Sequence, residues 1–246
     1  VKKLDFAETW RATFAAVRAD VGLYGTLAAA FVLLPAMIVA VLGPGEARTV
    51  ADLNGTRLLV QLVVAIVGAI AQLGIIALAF GATTPREALS RGIAALPGLV
   101  GASLLTALTL LPAVLLIQAS YKGYPALLLP GLIVLLPGLY VVARLALAVP
   151  LLATRTLGPV TALRASWAAT VGNGWRIFGF LAAIIGLLLV AMLLAGGVAA
   201  AVGSVLKVAG APGLADFVVA LISAAVASGY TVVNSVGLAT LLKRLG

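Results

Sequence analysis

The sequence predicts an all-α polytopic membrane protein: a bundle of six transmembrane helices with cytoplasmic amphipathic interfacial helices, N-in and C-in. Three observations predict it. Of 246 residues, 63% are hydrophobic and only 9% charged, where a soluble domain carries roughly a quarter charged. The apolar residues fall into runs long enough to cross ~30 Å of hydrocarbon. The basic residues gather at alternate ends of those runs, as the positive-inside rule requires.

Residues 1–20 are too polar to span. Phe6, Trp10, Phe14 and Val17 recur at helical spacing, with Glu8, Arg11 and Arg18 towards the other face. That pattern predicts an amphipathic helix lying in the interface. Trp10 and Arg11 are its candidate contacts with lipid or a partner. Asp5 and Glu8 interrupt the segment as a secretory signal. Residues 21–246 then form a six-span membrane domain. The first span covers 21–42, with a kink expected at Pro35. A mixed polar loop over 43–56 carries Glu46, Arg48 and Asp52. The second span, 58–82, holds Gln61 and Gln72 near one helical face.

A loop over 83–92 follows, with a short helix begun by Pro85. The third span is 93–117, with Pro97 and Pro112 near its ends. Tyr121 and Tyr124 mark the next interface. The fourth span, 126–152, is interrupted by Pro130, Pro137 and Pro150 and carries Arg144 near its cytoplasmic end. The fifth span is 177–202 and the sixth 214–241.

Residues 157–180 are the one long basic, Trp-bearing segment among apolar runs. Gly158-Pro159 breaks the chain and starts a helix. Val160, Leu163 and Trp167 hold one face, with Arg164 on a polar flank. Gly172-Asn173-Gly174 stops the helix. Trp175 and Arg176 then stand at the entry to the fifth span, where a headgroup boundary favours both residue types. A membrane-surface helix of this kind either docks a headgroup or partner, through Arg164, Trp167, Trp175 and Arg176, or simply fixes the depth of the next span. Anchoring is the favoured reading, because it requires composition alone.

Both ends fall on one side. With the N-terminus inside, the cytoplasmic segments hold Lys2, Lys3, Arg11, Arg18, Arg86, Arg91, Arg155, Arg164, Arg176, Lys243 and Arg244. The outer segments hold only Arg48, Arg57, Lys122 and Lys207. Three hairpin units also share a plan, over 1–82, 83–152 and 155–246. Pro85, Ala88 and Leu89 repeat the spacing of Pro159, Ala162 and Leu163, which suggests an internal repeat.

Arg144 is the most expensive residue in the chain, since an Arg at mid-helix costs ~2.5–3.5 kcal/mol on insertion scales. It either binds a lipid phosphate or a carbonyl freed by Pro137 or Pro150, or it snorkels to the interface. Gln61, Gln72 and Asn234 are candidate intramembrane polar positions, whose common role is to hydrogen-bond neighbouring helices.

The run from Arg144 to Pro150, then Gly158-Pro159 with Ala162-Leu163 and Ser166-Trp167, then Trp175-Arg176 with Gly179, resembles the membrane domain of some bacterial glycerophosphoryl diester phosphodiesterases. It is similar also to the stand-alone YciC-like integral membrane proteins. The resemblance implies a multi-pass protein of the bacterial inner membrane. It does not import phosphodiesterase chemistry, which belongs to a soluble domain with acidic metal ligands that has no counterpart here.

Composition narrows the function further. With no Cys and no His, disulfides, thiol catalysis, the usual zinc sites and a Ser-His-Asp triad are excluded. The net charge of +9 is scattered at span ends, so membrane lipids are the expected partners and nucleic acid is not. No cofactor is expected. The reading is a non-enzymatic scaffold or partner subunit that organises or binds lipid, with a membrane protein partner or a homo-oligomer. The alternative is a carrier or channel-like protein for a lipid or small apolar solute. A cavity converging on Arg144 would favour the alternative; a packed centre with an exposed apolar flank favours the scaffold.

Overall fold

The computed structural model describes residues 3–42 and 55–245. Every element among them is helical: α1 (Phe6–Ala19), α2 (Val21–Ala28), α3 (Leu34–Leu42), α4 (Gly55–Ala79), α5 (Pro85–Tyr121), α6 (Leu128–Leu145), α7 (Ala148–Thr154), α8 (Pro159–Ala169), α9 (Gly174–Val208) and α10 (Pro212–Leu245). Six segments are long and apolar enough to cross a membrane, at Val21–Leu42, Gly55–Ala79, Pro85–Tyr121, Pro125–Thr154, Gly174–Val208 and Pro212–Leu245. The chain is an all-α polytopic bundle. Lys2 and the expected loop with Glu46, Arg48 and Asp52 lie outside the described residues.

Local chemistry explains the joints. The kink expected at Pro35 is a π turn over Ala29–Leu33, in which the Leu34 N–H reaches back to the Ala29 carbonyl. Pro35 lacks the N–H that would bond Phe31, and one widened turn absorbs the defect. At the end of α4, the Ala82 N–H bonds the Ala77 carbonyl and the Gly81 N–H bonds that of Leu78. At the end of α9, the Ala211 N–H bonds Leu206 and the Gly210 N–H bonds Lys207. Both are Schellman ends, and the φ values of +97° and +80° at Gly81 and Gly210 are why glycine sits there.

Several boundaries differ from the sequence reading. α6 runs through Pro130 and Pro137, and the fourth span is interrupted only between Leu145 and Ala148, where Pro150 cannot donate to the Ala146 carbonyl. α9 runs on to Val208, past the expected end at 202. Residues 85–92, expected as a loop with a short helix, are the first turns of α5, which runs on without a break through Pro97 to Tyr121. Gly92 makes this possible. A Cβ there would lie 3.1 Å from the Ile70 carbonyl oxygen and 3.3 Å from the Gly74 nitrogen. Backbones of α4 and α5 therefore cross in near contact, and small residues permit that approach.

Burial is concentrated at the end of the bundle that carries both termini. The two termini meet there, through the Glu8–Arg244 ion pair at 3.0 Å. Tyr24, Leu27, Ile75, Leu78 and Val236 form one buried cluster. Leu73, Ile76, Leu99, Leu152 and Ala162 form a second. Leu4, Leu147, Ile177, Phe180, Ile184 and Leu241 form a third. The C-terminal half of α10 is common to all three, lying against α1, α2, α4, α7 and α9.

The other half is open. Leu59 and Leu62 of α4, Leu104 and Leu108 of α5, Leu129 and Ile133 of α6, and Leu193 and Leu194 of α9 are all exposed. Between Arg176 and Lys207, α9 carries no charged residue. In the proposed repeat, Pro85 and Pro159 both open helices and Ala88 and Ala162 are both fully buried. The helices they open differ: α8 stops at Ala169, whereas α5 continues across the bundle.

Candidate functional site

Arg144 sits in the last turn of α6, and its guanidinium is turned onto α8 rather than outwards. Its Nε donates to Thr170 Oγ1 at 3.0 Å and an Nη to the Trp167 carbonyl at 2.8 Å. The guanidinium carbon lies 3.6 Å from the centroid of the Trp167 ring. In return, Ser166 Oγ donates to the Arg144 carbonyl at 2.7 Å. Both helices end here, so each supplies a cap to the orphan carbonyls of the other. A cation also suits the negative end of α8. Ser166 and Thr170 are fully buried, and nothing local in the sequence marks either as a partner of Arg144.

Next to this staple lies a second one. Leu4 is buried among Leu147, Ile177 and Phe180. Its N–H donates to Asn173 Oδ1 at 2.8 Å, and its carbonyl accepts from Arg176 Nη1 at 2.9 Å. Asn173 is 1% exposed and precedes α9, so the Gly-Asn-Gly stop also fastens the N-terminal segment. Arg176 is thereby placed on protein at the span entry. Trp175, 72% exposed, has its ring 4.8 Å from that of Tyr140.

The N-terminal helix docks on a different stripe from the aromatic one. Thr9 and Thr13 are the fully buried positions of α1. Their hydroxyls donate within the helix, to the Asp5 and Thr9 carbonyls at 2.6 and 2.9 Å. The threonines can therefore pack as small residues with no unpaired polar atom. Trp10 and Phe6 lie beside them, edge-on to Phe180 at 5.9 and 6.1 Å. Trp10 is half-buried on protein, while Arg11 is exposed.

The remaining sequence candidates are scattered. Arg164 is exposed on α8 and Gln61 is exposed on α4, whereas Gln72 and Asn234 are half-buried on separate helices. Of the residues singled out, Arg144 meets Trp167, and the others do not converge. Among the described residues no group of three His, Cys, Asp or Glu side chains is placed to hold a metal ion.

Two cavities with charged residues in their lining open at the packed end. One, about 700 Å³, lies between the start of α5 and the link from α7 to α8, and is lined by Arg91, Arg155, Leu152 and Pro159. The other, about 410 Å³, lies between Asp20, Tyr24, Thr240 and Lys243. Arg144 lines neither. The chain matches no family model, no curated protein and no solved structure.

Proposed function

We propose that this chain is a non-enzymatic scaffold or partner subunit of the bacterial inner membrane that organises or binds lipid. One observation carries the reading. The intramembrane Arg144 caps α8 and stacks on Trp167 instead of lining a path, while a packed end gives way to an open apolar half. A carrier needs a polar or shaped route with two access states; a scaffold needs a rigid foot and a large lipid-facing surface. The basic residues grouped at the packed end, Lys3, Arg11, Arg18, Arg86, Arg155, Arg164 and Lys243 among them, suit the anionic cytoplasmic leaflet. The resemblance to the YciC-like proteins agrees with that placement.

Reconstitution into liposomes tests the reading. A scaffold leaves efflux of entrapped dye and transbilayer movement of a fluorescent phospholipid at the rates of protein-free vesicles, and native mass spectrometry of gently extracted protein shows retained lipid or a stoichiometric partner. Flux or lipid movement well above the protein-free rate would instead establish a carrier.

A further inference from the structure

We propose that the cavity of about 700 Å³ between α5 and the α7–α8 link is a binding site for a phosphate ester carried on an apolar body, as in the headgroup of an anionic phospholipid. The inference rests on the lipid-handling reading and gives it a location apart from Arg144.

The size is that of an ordinary ligand site, ~300–1,000 Å³. Its two sides are chemically unlike. Arg91 comes from α5 and Arg155 from the end of α7, so two guanidiniums approach from separate helices. Both are exposed at the mouth. Thr154, Thr156 and the backbone of Gly158 complete the polar side. Gly158, the N-cap of α8, contributes its backbone N–H to this lining, whereas Pro159, the first residue of α8, has none to give. Guanidinium forks select phosphate oxygens.

The other side is apolar, made by Ala94, Ala95, Pro97, Gly98, Leu152 and Leu157. Gly98 lets Leu152 pack directly onto α5, since a Cβ there would come within 2.8 Å of Leu152 Cδ2, and this makes the wall continuous. A free inorganic anion has no use for such a wall, whereas the glycerol and first methylenes of a lipid do. Glu87 is the one carboxylate at this end of α5, and it is already paired with Arg91 at 2.5 Å. Arg155 thus carries the phosphate with the Gly158 N–H beside it, and Arg91 flanks it.

Titration of the full chain in detergent, read by native mass spectrometry, tests the site with three probes: phosphatidic acid, diacylglycerol of the same acyl chains, and inorganic phosphate. The expected result is a single phosphatidic acid bound at least about tenfold more tightly than diacylglycerol. Arg155→Ala and Ala94→Leu should each weaken it about tenfold or more, the loss expected for charge-assisted hydrogen bonds or for filled space, while Arg18→Ala leaves it unchanged. Phosphatidic acid binding that is equal in the wild type, Arg155→Ala and Ala94→Leu overturns the site and leaves the scaffold reading standing. Inorganic phosphate that binds as tightly as the lipid overturns the lipid as the source of the phosphate. Retention of no lipid of any class overturns the site, and with no stoichiometric partner on the gently extracted protein it overturns the scaffold reading as well.

Discussion

The two halves of this bundle are made of the same residues and are held together differently. Glycine crossings occur in both halves, as where a Cβ on Gly131 of α6 would lie 3.1 Å from the Ile117 nitrogen of α5, but at the end bearing both termini helices also interlock through three buried clusters and hydrogen bonds between helix ends. In the far half the same helices continue, equally apolar, but their leucines and valines face outwards. In water such a half would collapse. In lipid, apolar surface gains nothing by leaving the acyl chains, so association needs shape and hydrogen bonds. The comparison teaches that cohesion here is local and polar in its details, while hydrophobicity alone supplies only insertion.

The largest expected effect sharpens that contrast directly. Phe180 is fully buried, and Leu193, thirteen positions downstream on α9, is 77% exposed. Phe180→Ala is expected to cost about 3–5 kcal/mol, and Leu193→Ala within about 0.5 kcal/mol. Thermal unfolding in one detergent reads both, and equal losses would abolish the distinction between the halves.

Glycines give the next test. Gly92→Ala pushes a methyl against the backbone of α4 and is expected to cost about 1–3 kcal/mol. Gly196 has no atom within 4 Å of its would-be Cβ, so Gly196→Ala is expected to be neutral or slightly stabilising, by up to about 1 kcal/mol. The same unfolding assay decides it.

Arg144→Lys separates a staple from a simple positive charge. Lysine retains charge but loses the fork to Thr170 and Trp167, and about 1–2 kcal/mol with it. Faster hydrogen exchange confined to the end of α8 is the expected signature; unchanged exchange would mean that charge alone suffices there. Asn173→Ala is expected to remove about 1 kcal/mol and to expose residues 4–19 to limited proteolysis. Glu8→Ala, which breaks a largely exposed pair, is the smallest, at below about 1 kcal/mol.

The six spans were legible because hydropathy and length are properties of consecutive residues. So was the helix opened by Pro159 and halted by Gly172. What escaped was long-range. Nothing near Leu4 announces that Asn173 and Arg176 will hold its backbone, and the aromatic stripe of α1 gave no hint that Thr9 and Thr13 would be its buried positions. Residues 83–92 read as a loop because the same glycine that can end a helix, here Gly92, also lets two helices touch, and only the neighbour distinguishes the two uses. For Arg144 the sequence offered a phosphate, a freed carbonyl or the interface. The structure supplies a carbonyl, but that of Trp167 at the end of α8 and not one released by proline.

The uncharged stretch of α9 has a consequence for the bilayer itself. From Arg176 to Lys207 the helix rises about 45 Å at ~1.5 Å per residue, against a hydrocarbon layer of ~30 Å. Hydrophobic mismatch of that size is relieved by a leaning hairpin or by a locally thickened membrane. With Arg176 fastened to the N-terminal segment, the lean originates at a fixed foot. Acyl-chain length then becomes a variable to which the α9–α10 hairpin responds, standing more upright in thick membranes and lying lower in thin ones.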